Sequence, residues 1–77
     1  MDVERLRRQF PALTPEDVDA YVAVTRRILS ARDPSDRARI TREILARGRA
    51  AREGASRDDD ERLAVRYVAA VEKMQGR

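Results

Sequence analysis

The chain has 77 residues, 42% hydrophobic and 40% charged, with 17 basic against 14 acidic side chains and a net charge of +3. That length makes a single domain near the lower limit at which one core can hold a fold together. Without cysteine or histidine, it excludes disulfide staples, thiolate metal sites and imidazole-based catalysis or ligation.

Three helix-start signals divide the sequence: Thr14-Pro15-Glu16-Asp17, Asp33-Pro34-Ser35-Asp36 and Ser56-Arg57-Asp58-Asp59-Asp60-Glu61. Each sets a side-chain oxygen ahead of an apolar run with helical spacing. Before the first, Val3, Leu6 and Phe10 fall at i, i+3, i+7 and predict a short helix over about 2–10, stopped by Pro11. Leu13 precedes the Thr14 cap and Val18 lies at N4, the positions of a hydrophobic staple. Pro15 stands at N1, where a missing N–H is harmless.

A second helix is expected over about 15–31, with Val18, Tyr21, Val22, Thr25, Ile28 and Leu29 as its apolar stripe. Arg26, Arg27 and Arg32 suit the negative end of its dipole. Asp33-Pro34-Ser35 ends it and introduces a third helix over about 36–53, with Ile40, Thr41, Ile44, Leu45, Gly48 and Ala51 inward. A glycine inside a helix costs about 1 kcal/mol relative to alanine. On the buried face, Gly48 therefore predicts a close backbone approach to a neighbour. Gly54 is suited to the C′ position. A fourth helix is expected over about 58–75, with Leu63, Tyr67, Ala70, Val71 and Met74 as its main stripe. Short connections make neighbouring helices antiparallel. The expected fold is one all-α domain over 1–77: a small antiparallel three-helix bundle in up-down-up order, with a short additional N-terminal helix across its open side.

No residue set for catalysis emerges. Ser30, Ser35 and Ser56 sit at helix ends or caps, and capping accounts directly for two of the three. Glu43 and Glu72 point away from the apolar stripes, so they do not form an inward carboxylate site. The run Asp58-Asp59-Asp60-Glu61 lacks the alternating ligands and turn glycine of a calcium loop, and a helix's first turn favours acidic residues anyway. Gly48, Gly54 and Gly76 are scattered and make no phosphate-binding loop. The expectation is a protein that is not an enzyme and uses no cofactor or metal.

The first residues, Met1-Asp2-Val3-Glu4, lack the basic and apolar regions of a signal peptide. No apolar stretch approaches the ~20 residues of a bilayer span. A cytoplasmic protein with no membrane partner is expected. Lys73 is the single lysine among the basic residues. This arginine bias, together with abundant alanine, matches the coding habit of a GC-rich bacterial genome and weakens arginine as a functional signal.

Two binding readings follow. The thin core, with only Phe10, Tyr21 and Tyr67 aromatic, favours protein–protein association. In helix four, Val68 lies roughly 100° and Val65 roughly 160° from the stripe's centre at ~100° per residue. Val24 is near the edge of the stripe in helix two. Val65, Val68, Ala69 and Val24 are therefore expected to contact a partner, in self-assembly (a homo-oligomer) or as an accessory subunit of a larger protein. The alternative is a small Arg-rich nucleic-acid-binding regulator. Arg39, Arg42 and Arg49 share the outer face of helix three, and arginine suits bidentate phosphate contact. Arg47 and Arg52 flank that helix's stripe. Glu43 and Glu53 interrupt the basic surface, and no aromatic residue is interleaved to stack on bases.

Overall fold

The computed structural model describes residues 3–52 and 59–76, all helices and short connections. Its elements are α1 (Val3–Gln9), α2 (Pro15–Leu29), α3 (Pro34–Arg52) and α4 (Asp59–Gln75). They form a small all-α bundle with a short N-terminal helix. The expected roles of Glu53, Gly54 and Ser56, and the start of the last helix at Asp58, lie outside the described residues.

The first cap is as the sequence predicts. Thr14 is extended, with φ −76° and ψ 163°. Its Oγ1 accepts from the Asp17 N–H at 3.2 Å, and the Asp17 carboxylate accepts from the Thr14 N–H at 3.1 Å. This reciprocal capping box satisfies two backbone donors that a helix start leaves without partners. Pro15 occupies the first helical position. At its other end α2 stops at Leu29, two residues earlier than expected, where the Ser30 Oγ donates to the Arg27 carbonyl at 2.6 Å. The second cap sits differently. Asp33 Oδ1 accepts from the Ser35 N–H at 2.9 Å, and the Asp33 carbonyl accepts from the Arg37 N–H at 3.0 Å. Asp33 is thus the cap and α3 starts at Pro34, two residues before the expected start, because proline is pre-organised for N1.

α4 is the centre of the molecule. It packs along both α2 and α3, whereas α2 touches α3 and α1 at few points. It runs antiparallel to α2, since Asp17 near the start of α2 meets Lys73 near the end of α4; this corrects the expected up-down-up order, which would set these two helices parallel. Midway, the Tyr21 and Tyr67 rings stack with centroids 5.8 Å apart. Against α3 the contact is closest at Gly48. A Cβ there would lie 2.5 Å from the Ala64 carbonyl oxygen and 2.5 Å from Val68 Cγ2. Only a hydrogen fits, which is the close approach that a glycine in this position predicts.

The core lies mainly between α2 and α4: Leu13, Val18, Ala20, Val24, Ala64, Tyr67, Val68 and Ala70 are its buried hydrophobic side chains. Leu13, Val18 and Ala70 form a cluster at one end, and Leu6, Phe10, Tyr21, Val22 and Met74 pack against it. The Leu13 staple, Leu6 of α1 and Phe10 just after it close that end. The buried face of α2 is nevertheless rotated from the expected stripe. Ala20, Val24 and Asp17 are buried, while Leu29 is 57% exposed. Small Ala20 admits α4 closely, and Leu29 lies at the last turn.

Asp17 is the one buried charged residue among those described, 1% exposed. Lys73 Nζ donates to its Oδ2 at 2.5 Å, and Arg66 lies 3.9 Å from its Oδ1. Burial pushes this carboxyl up, but the Lys73 hydrogen bond, the two Thr14 bonds and the Lys73 charge outweigh it and hold it below its ordinary 3.8. Each end of this pair is also favoured by a helix dipole, the carboxylate at the start of α2 and the ammonium in the last turn of α4.

Candidate functional site

Because α2 and α3 both lean on α4 but scarcely on one another, a groove opens between them. Val24 of α2 and Leu63 and Ala64 of α4 line its interior, with Ile40 and Ile44 of α3. Arg27, Glu43, Arg47 and Asp60 complete its lining, and all four are exposed. Val24 and Ala64 are buried, at 1% and 3% exposure. Ile40, Ile44 and Leu63 are only half-buried. The groove holds about 210 Å³, less than the ~300–1,000 Å³ usual for sites that enclose a small molecule.

The origin of the groove is visible in α3. Among the described residues, none of the buried hydrophobic side chains comes from this helix. Ile40, Thr41, Ile44, Leu45 and Ala51, expected inward, are all half-buried, and only Gly48 of that set is fully covered. The Thr41 Oγ1 donates to the Arg37 carbonyl at 2.8 Å, satisfying its hydroxyl within the helix. Gly48 fixes α3 against α4 near Ala64 and Val68. Towards its N-terminal half, α3 keeps its isoleucines beside the gap.

The four residues expected to meet a partner separate in the structure. Val24 and Val68 are each 1% exposed and belong to the core, which corrects their assignment to an outer contact. The wide apolar arc of α4 arises because the helix is sandwiched. α2 covers one side, and α3, admitted by Gly48, covers the side carrying Val68. Val65 and Ala69 lie elsewhere on α4 and are half-buried; they do not join the groove. Val24 reaches it only as buried floor.

Arg39, Arg42 and Arg49 are all exposed, as the wheel predicts. Arg39 pairs with Asp36 at 3.3 Å. Arg47, read as a flank of the stripe, stands on the groove instead with Glu43 one turn before it. No group of three or more potential metal-ligating side chains occurs among the described residues, and no described helix is long and apolar enough to cross a membrane. Comparison of the chain with protein-family models, with curated proteins and with solved structures finds no match.

The sequence reading missed the groove because periodicity reports which face of a helix is apolar, not whether a neighbour covers that face. A signal was present in composition. α3 offers two isoleucines and a leucine against six arginines, too little apolar surface to clasp α2 and α4 together.

Proposed function

We propose that this chain acts without catalysis, through protein–protein association, and that the groove between α2 and α3 is its contact surface. One observation carries this reading: Ile40 and Ile44 stand half-covered beside a buried floor of Val24 and Ala64. Apolar side chains around a small cleft, with charges at its edge, have the anatomy of an interface centre and rim. Burying them further against a partner returns about 25 cal/mol for each Å² of apolar surface removed from water.

Site-specific crosslinking tests this in the cell. A photo-reactive residue replacing Arg27, exposed on the groove, should give a covalent protein adduct. That adduct should vanish when Ile40→Asp and Ile44→Asp are added. Adducts indifferent to both substitutions, or none at all, would contradict the reading. The same probe replacing Arg49 addresses the nucleic-acid alternative, supported by the shared exposure of Arg39, Arg42 and Arg49. Nucleic-acid adducts from position 49, with no protein adducts from position 27, would favour it.

A further inference from the structure

The charges on the groove point to what fills it. Two cations, Arg27 and Arg47, and two anions, Glu43 and Asp60, line it, so the surface is electrically balanced although the chain carries +3. A two-fold contact sets a patch against an identical patch. A patch of one sign would repel its copy, whereas a balanced one can pair every charge with its opposite. The order along α3 meets this requirement. Glu43 and Arg47 are separated by one turn and flank Ile44. When two such helices cross antiparallel near Ile44, Glu43 of each copy comes within reach of Arg47 of the other. The half-covered isoleucines lie between these pairs.

We infer that the occupant of the groove is a second copy of this chain, docked groove to groove about a two-fold axis, with the α3 helices antiparallel and Glu43 and Arg47 paired reciprocally. This rests on the groove being a contact surface. It adds the identity of the partner, the symmetry and the pairing.

Charge reversal tests it. Glu43→Arg leaves two arginines per copy at these positions, and Arg47→Glu leaves two glutamates. Each variant alone should associate at least ~tenfold more weakly than the wild type, since like charges are then opposed. An equimolar mixture should recover the dimer, because every arginine on one chain then meets a glutamate on the other. Recovery in the mixture cannot come from a Glu43–Arg47 pair within one helix, which neither variant can form. Light scattering reads the masses, and circular dichroism confirms that each variant keeps its helices; both positions are exposed. The expected result is twice the chain mass for the wild type and the mixture, and the chain mass for each variant alone. A wild type monomeric at every concentration overturns the inference, while groove-dependent adducts to another protein would still uphold the contact surface. Variants that dimerise as well as the wild type, or a mixture that stays monomeric, overturn the reciprocal pairing.

Discussion

The two ends of this bundle are built on opposite principles. At the end where α1 meets α2, Leu13, Val18 and Ala70 are buried beneath Leu6, Phe10 and Met74. The one buried charge there, Asp17, is met by Lys73 and by the Thr14 cap. Where α2 and α3 diverge, Ile40 and Ile44 stay half-covered and the surrounding charges are exposed. At the first end the buried charge is matched and the Leu13, Val18 and Ala70 cluster is fully covered, although Leu6, Phe10 and Met74 over it are themselves half-buried; its residues serve folding. At the second, apolar surface is left over, and substitutions should change stability little while changing association much.

The largest loss of stability is expected at the closed end. Lys73→Met leaves Asp17 buried with only its cap and the more distant Arg66, and should destabilise the chain by about 2 kcal/mol, the scale of a lost charge-assisted hydrogen bond, since Lys73 itself is 38% exposed. Chemical denaturation measures it. The same site sets acid sensitivity. The Asp17 carboxyl is held below 3.8 in the folded chain. Its contribution is therefore present above the unfolded value and is lost as pH falls through the lower folded value. Melting curves taken downward from pH 5 should show a steeper loss for the wild type than for Asp17→Asn. Parallel curves would mean the pair contributes nothing that protonation removes.

Gly48→Ala comes next and tests how α3 is held. In an open helix this change stabilises by about 1 kcal/mol. Here the added Cβ meets the Ala64 backbone, and overpacking of this kind costs roughly 1–3 kcal/mol. A net loss on thermal unfolding is expected; a gain would show that α3 can shift off α4 freely. Thr14→Ala removes one half of the capping box and should cost about 1 kcal/mol. Ile44→Asp should be the mildest for the fold of the monomer, no more than about 1 kcal/mol, despite removing a large apolar side chain.

Much of this fold is legible in the sequence because its punctuation is local. The Thr14 cap, Pro15, the Leu13 staple and the break at Asp33-Pro34 each act within a few residues, and each is found where those residues stand. Gly48 is legible for a similar reason, since a glycine on an apolar helix face has few other uses. What depends on distant partners is not legible. Asp17 reads as a polar cap residue, and nothing local shows that Lys73, 56 positions away, permits its burial. The rotation of α2 towards Ala20 and Val24 follows from that burial together with close packing on α4, and so does the exposure of Leu29. The sequence marks Val24 and Val68 as unusual for their stripes. It cannot show that α2 and α3 both press on α4 and bury them, or that the uncovered apolar surface then falls at Ile40 and Ile44.

The contrast between the two ends comes down to what Ile44 is for. Absolute mass by light scattering, on wild type and Ile44→Asp across the same concentrations and at high salt, puts that question directly. A wild type at twice the chain mass beside a folded variant at the chain mass would place the leftover apolar surface in association. A wild type at the chain mass throughout, or a variant of unchanged doubled mass, would contradict the assignment of this groove to a second copy of the chain.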